Sequence, residues 1–193
     1  PLVTVRTPRQ SRAMQKEPLG PVVRKIPEGD NRHRMVCDDC GFINYDNPKI
    51  VAGAVCTASD GRILLCKRAI EPRVGYWTLP AGFLENEETV QEGAAREAWE
   101  EALAKIEIGE MLGLYNIPRI SQIQIMYRAK LLNEDEIGPG PESTDVMLVH
   151  WDEIPWDDLA FPTVVWTLNY FRETRHLDSF PPATNPQGEG TRR

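Results

Sequence analysis

Glu97, Glu100 and Glu101 sit in the run Arg96-Glu97-Ala98-Trp99-Glu100-Glu101 at positions i, i+3 and i+4. In a helix that spacing puts three carboxylates on one face. Like charges so placed oppose one another by roughly a few tenths of a kcal/mol per pair, and a cation among them removes the conflict. Carboxylate oxygens are hard ligands, suited to Mg²⁺ or Mn²⁺ bridging to phosphate oxygens. Such ions polarise a phosphoryl group and activate water, the usual apparatus for in-line displacement at phosphorus. A merely solvated acidic face is the competing reading of so short a motif.

The carboxylates need a rigid element under them. Glu88 to Lys105 is rich in Ala, Glu, Arg and Gln and free of proline, which predicts one long helix. Ahead of it, Lys49 to Ala58 and Arg62 to Ala69 are apolar, β-branched runs separated by Ser59-Asp60-Gly61, a turn signal that predicts a hairpin. Ile106 to Ile117, Gln122 to Leu132 and Asp145 to Trp151 read as further strands. A second helix is expected after Pro155, running to about Arg175 with a break at Pro162. That order suits an α/β (α+β) fold, a mixed sheet sandwiched by helices.

The wider stretch is Gly82, five residues, Glu88, seven residues, then Arg96-Glu97-Ala98-Trp99-Glu100-Glu101. It resembles the signature box of the Nudix hydrolase superfamily at every fixed position except the last glycine, where Leu103 stands. The run Leu64 to Arg68 and the approach Trp77 to Gly82 are similar to the family's lead-in, so the resemblance covers about Lys49 to Arg175. It implies a Nudix-type α/β/α sandwich with a mixed central sheet and a magnesium- or manganese-dependent pyrophosphatase. Glu97, Glu100 and Glu101 would hold the metal with the Gly82 carbonyl, and one glutamate would act as base towards water. Arg96 and Glu88 would orient loop and helix through an ion pair. Leu103, lacking glycine's access to left-handed backbone angles, is expected to let the helix run on slightly. Glu142 and Asp145, in the loop from Gly138, are the two candidates for an additional acid. Arg68, Tyr76, Trp77 and Tyr115 are candidate substrate contacts, the aromatic rings as base-stacking platforms against the alternative of core packing.

Cys37-Asp-Asp-Cys40-Gly41, followed by Tyr45-Asp46-Asn47-Pro48, is similar to the second knuckle of the zinc ribbon in the superfamily's FAD, ADP-ribose and NADH pyrophosphatases. Residues 1–36 contain no cysteine, so the four ligands of a structural zinc site are not at hand. The expectation is a residual knuckle with reduced thiols and no Zn²⁺ at Cys37 and Cys40. The loop Gly138-Pro-Gly-Pro-Glu-Ser143 stands where the NADH enzymes carry a Ser-Gln-Pro-Trp-Pro-Phe-Pro array. FAD or ADP-ribose is therefore favoured over NADH, with AMP as one product. A nucleoside triphosphate pyrophosphohydrolase and a non-catalytic nucleotide sensor are the other readings.

Composition bounds the rest. The formal charge is -7, yet residues 1–35 hold eight Lys/Arg against three acids, so the body is the more acidic part. That argues against a nucleic-acid partner and for a small nucleotide substrate. No run approaches the ~18 apolar residues of a membrane span and no signal-like segment opens the chain, so no membrane partner and a cytoplasmic location are expected. Cys56 and Cys66 lie in apolar runs and read as buried thiols. The expected organisation is a flexible basic tail over 1–31, the knuckle over 32–48, the Nudix domain over 49–178 and a flexible tail over 179–193. The family resemblance also raises a homodimer.

Overall fold

The computed structural model describes residues 20–188 of the 193-residue chain. The described residues fall into two units, divided between Asn47 and Pro48. In the first, β1 (Val23–Lys25), β2 (Arg34–Val36) and β3 (Ile43–Asn44) form an antiparallel sheet in that order. The turn into β2 is held by Asp30, whose carboxylate accepts from the Asn31 and Arg32 amides and from Arg34 Nε. β1 therefore lies inside the segment expected to be a tail, because pairing with β2 satisfies its backbone. Residues 1–19 and 189–193 lie outside the described residues.

The second unit is built on a mixed sheet. β4 (Lys49–Thr57) runs parallel to β9 (Gln122–Leu131), while β5 (Ile63–Arg68), β8 (Ile106–Ile117) and β10 (Ser143–Val149) give the order β10-β5-β4-β9-β8. Side chains alternate across a strand, so each strand feeds two cores. Ala52, Ala54, Cys56, Leu64 and Cys66 face one way, against Ala94, Ala98 and Ala102 of α1 (Val90–Ala102). Val55, Ile63 and Leu65 face the other, against Val164, Leu168 and Phe171 of α2 (Pro162–Thr174). This is the expected α/β/α sandwich. Burial pushes the Cys56 thiol up to about 12 and the Cys66 thiol well above its usual range, as suits core thiols.

Helix ends differ from the sequence expectation in instructive ways. α1 begins two residues later than expected, because Thr89 caps it: its hydroxyl accepts from the Glu92 amide and the Glu92 carboxylate accepts from the Thr89 amide. It ends at Ala102 rather than running on, for Leu103 itself adopts the left-handed conformation (φ 50°, ψ 27°). Pro162 starts α2 instead of breaking a longer helix, since a residue without an N–H costs nothing in the first turn. The last described segment is not a free tail. Ala183 pairs with β8 through Ala183 N to Leu112 O (2.8 Å) and Leu114 N to Ala183 O (2.9 Å). Among the described residues no helix is long and apolar enough to cross a membrane.

Left-handed geometry costs a non-glycine residue roughly 1–2 kcal/mol, part of which glycine gives back as unfolded-chain entropy. Leu103→Gly is therefore expected to raise stability by up to about 1 kcal/mol. An unchanged or lower urea midpoint at constant m-value would refute the strain at this position.

Candidate active site

The hairpin strands β4 and β5 pair with each other only at Thr57 and Ile63, and beyond that point they splay. The gap is filled by the next piece of chain. β6 (Trp77–Thr78) pairs with Cys66 and Lys67 of β5, and β7 (Ala81–Phe83) pairs with Val51 to Gly53 of β4. Gly53 is needed there, since a Cβ on it would stand 2.4 Å from the Ala81 Cβ and 2.7 Å from the Pro80 carbonyl oxygen. This wedge sets Gly82 beneath α1, where an added Cβ would fall 2.2 Å from Oε2 of Glu97. The carboxylate occupies the room that the missing side chain leaves.

Arg96 organises the helix face. Its Nε and Nη2 donate to the two oxygens of Glu88 (3.0 and 2.8 Å), and Nη1 donates to Glu97 (2.7 Å) and Glu100 (2.8 Å). Nη2 also donates to the Phe83 carbonyl at 2.9 Å, tying the helix to the wedge. Glu88 accepts from the Glu85 amide as well (2.7 Å), and these contacts, the Arg96 bonds foremost, hold its carboxyl down at about 2. Glu101 is deeply buried with one polar contact, the Ala81 amide at 3.3 Å; burial, then the Glu97 charge, pushes it up to about 8. Glu97 is also raised by burial, against the pull of Arg96. Glu100 is the exposed member of the trio.

The three carboxylates share a helix face, but they are not already gathered about one point. Among the described residues no three His, Cys, Asp or Glu side chains form a group able to hold a metal. The Arg96 guanidinium stands on Glu97 and Glu100, and Glu101 turns to the wedge. The donor chemistry nonetheless fits a divalent cation: hard oxygens on one rigid element, two of the carboxylates buried and one of these, Glu101, without a cationic hydrogen-bond partner among the described residues. Glu97 and Glu100 each meet the guanidinium through one oxygen, Oε1 and Oε2 respectively, and among the described residues the second oxygen of each has no hydrogen bond.

A cavity of about 740 Å³ opens over this face, in the size range of small-molecule sites. Of the two later acids, Glu142 lines it and Asp145 does not. Asp145 is exposed, opposite Lys67 in the β10–β5 register, and accepts from the Val146 amide. Arg68 lines the cavity as expected. The aromatic candidates do not. Tyr115 is 1% exposed, packed in the core with Trp166 at 5.7 Å, so it offers no face to a base. Trp77 packs beside the same core with Lys67 over its ring, and Tyr76 faces the Arg73 guanidinium. The aromatic walls are instead Phe83, Phe161 and Trp166. Phe161 is the N-cap of α2 and Trp166 lies one turn in, and the signal that could have placed them was Pro162, which reads as a helix opener as well as the break expected above.

In the first unit Cys37 is buried and Cys40 exposed, and the knuckle turn is closed by Cys37 N to Phe42 O and Gly41 N to Cys37 O, both 2.8 Å. Amides of Cys40 and Asp39 on the Cys37 sulfur lower its thiol below the usual range.

Comparison with known proteins adds the following. The NUDIX domain family matches residues 47–170, and the Nudix N-terminal family matches residues 20–46. A NUDIX hydrolase of Nitrosomonas europaea is 46% identical, with a TM-score of 0.79 over 86% of this chain and 93% of its own. A MutT-like protein of Streptomyces ambofaciens is 38% identical over 104 residues, 54% of this chain and 64% of the relative. An ADP-ribose pyrophosphatase of Methanocaldococcus jannaschii is 36% identical over 74 residues, 38% of this chain and 43% of the relative. The chain thus spans under two thirds of the length of these two curated relatives.

Glu88 links the site to pH. A carboxyl depressed in the folded state contributes stability above its unfolded value, near 4.5, and loses it as pH falls towards about 2. Wild-type urea midpoints are expected to drop more steeply between pH 4.5 and pH 2 than those of Glu88→Gln. Parallel curves would mean that the ion pair carries none of the acid sensitivity.

Proposed function

This chain belongs to the NUDIX domain family, and on that premise we propose that it hydrolyses the pyrophosphate bond of a nucleoside diphosphate linked to another group, releasing AMP. ADP-ribose and FAD are the favoured substrates, ahead of NADH. The observation that carries the reading is one cavity bounded by Glu97, Glu100, Glu101 and Glu142 on one side and by aromatic rings on another. A cavity of about 740 Å³ accommodates a nucleoside diphosphate with an appended sugar. The similarity to a curated ADP-ribose pyrophosphatase, at 36% identity, supports ADP-ribose.

Glu97, Glu100 and Glu101, with the Gly82 carbonyl, are the residues proposed to hold Mg²⁺ or Mn²⁺. Bound there, the ion would neutralise phosphate charge and lower the pKa of a water. The protein's own part is orientation. Arg96 and Glu88 fix α1 against the Phe83 carbonyl, so the carboxylates are presented in one register to the cavity. Phe161 and Trp166 offer apolar faces for a base or flavin ring. One of the glutamates Glu97, Glu100 and Glu101 would act as base towards the water. Glu142 adds a carboxylate from the facing loop.

The test is a hydrolysis panel with Mg²⁺, covering ADP-ribose, FAD, NADH and several nucleoside triphosphates, with products separated by chromatography. AMP is expected from ADP-ribose or FAD, and none without the metal. Glu100→Gln is expected to abolish turnover with its melting temperature unchanged, because the side chain is exposed and keeps its volume. Wild-type rates in that variant would sink the ligand assignment; pyrophosphate released from triphosphates alone would move the reaction to that class.

A further inference from the structure

The cavity is lined by six carboxylates, Glu71, Glu85, Glu97, Glu100, Glu101 and Glu142, yet the substrate class proposed above is itself an anion. Three arginines also line it, and two are committed. Arg96 is spent on the helix face. Arg68 donates to the Pro72 carbonyl (2.8 Å) and the Ile70 carbonyl (3.3 Å), with its guanidinium 5.1 Å from the centre of the Phe161 ring. The third is Arg119, at the middle of the one-turn rim Pro118–Ile120 between β8 and β9. Its side chain has no hydrogen bond, ion pair or ring contact among the described residues.

An exposed arginine without a partner is ordinary on a loose loop, but this loop is braced from two sides. On the inner side Ser121 closes the turn onto the Pro118 carbonyl (3.1 Å), and its own carbonyl accepts from the Lys49 amide (2.9 Å). On the outer side β8 is the edge of the sheet, and the C-terminal segment runs along it. After the Ala183 pairing, Asn185 acts as a second clamp: its Oδ1 accepts from the Asn116 amide and its Nδ2 donates to the Asn116 carbonyl, both at 2.8 Å. A single side chain thus satisfies both backbone groups of the residue that precedes the rim by one position from Ile117. The segment is anchored upstream by Tyr170, whose hydroxyl donates to the Pro181 carbonyl, and three residues past Asn185, Gly188 reaches the cavity wall.

We propose that the Pro118–Ile120 rim is an anion-binding wall of the cavity, with Arg119 binding phosphate oxygens of a nucleotide. The segment 180–188 is the strap that holds the rim in place, and Asn185 is its positioning residue. The proposal rests on the nucleotide reading above. A guanidinium is the side chain best matched to phosphate, with paired N–H donors in one plane and a charge that never titrates away. Among the described residues Arg119 is the cavity arginine whose donors have no partner.

The test is calorimetric titration of the full chain with AMP, ADP-ribose and, as the phosphate-free control, adenosine, without divalent metal so that nothing is cut. Charge-assisted bonds to phosphate predict that Arg119→Ala weakens AMP and ADP-ribose by at least about tenfold and leaves adenosine unmoved. Arg119→Lys is expected to recover part of the loss. Asn185→Ala is expected to weaken AMP by a smaller factor, and Arg119→Ala/Asn185→Ala to bind no more weakly than Arg119→Ala alone. Two effects that multiply would remove the positioning role, and adenosine weakened as much as AMP would remove the phosphate role. A wild type that hydrolyses nothing but binds AMP through Arg119 overturns the enzyme reading and leaves this one standing. A wild type that hydrolyses while Arg119→Ala binds normally does the reverse, and a wild type that binds neither nucleotide overturns the Arg119 role while the enzyme reading is decided by the Mg²⁺ hydrolysis panel.

Discussion

One guanidinium sets the geometry on which the site depends. Arg96 makes five hydrogen bonds from three nitrogens, to Glu88, Glu97, Glu100 and the Phe83 carbonyl. These partners lie on three features: Glu88 on the loop before α1, Glu97 and Glu100 on the helix face, and Phe83 on the wedge strand β7. A lysine could reach one of these as a point charge, but it could not span a loop, a helix and a strand with fixed angles. The same residue keeps neighbouring acids tolerable in the absence of a cation, since Glu97 and Glu100 would otherwise oppose each other one turn apart. It meets each of these two carboxylates through a single oxygen, Oε1 of Glu97 and Oε2 of Glu100.

That hub works only because the sheet opens beneath it. Where β4 and β5 splay, β6 and β7 enter as short strands, and backbone comes close to α1 at Gly82. The helix can approach because the facing rows are small: Ala94, Ala98 and Ala102 against Ala52, Ala54 and Cys56. Larger residues on this face would lift α1 and pull Glu97 and Glu101 out of the wedge, so close packing and carboxylate burial are one constraint. The opposite face carries bulkier Leu, Val and Phe contacts with α2 and has no comparable demand.

Much of this was legible in the chain. The apolar, β-branched runs Lys49 to Ala58 and Arg62 to Ala69, parted by Ser59-Asp60-Gly61, foretold the hairpin, and the spacing of Glu88, Arg96, Glu97, Glu100 and Glu101 foretold both the shared helix face and the Arg96–Glu88 pair. What escaped depended on distant partners. Nothing local distinguishes Tyr115, an aromatic residue in a strand that happens to face the core, from Trp166, an aromatic residue in a helix that reaches the cavity. β1 escaped because a three-residue strand in a proline- and glycine-rich stretch exists only through its partner β2. The C-terminal segment looked like a tail for the same reason: its order comes from the unpaired edge of β8, which the segment itself does not announce.

The departure at Leu103 shows how the end of α1 is secured without glycine. A left-handed leucine leaves the helix carbonyls in need of donors, and two come from the loop that also brings Glu142 to the cavity. The Gly138 amide donates to the Ala102 carbonyl and the Gly140 amide to the Glu101 carbonyl, each at 3.0 Å. Gly140 approaches so closely that a Cβ on it would stand 1.6 Å from the Glu100 carbonyl oxygen, a contact with backbone that no rotamer could relieve. The glycine that the helix terminus lacks is thus matched by one in the loop packed on it. Because the same short loop both caps α1 and carries Glu142, the position of that carboxylate is tied to the helix bearing the other three. Solvated loops often carry acids by chance; this one is fixed by backbone bonds to the residues it faces.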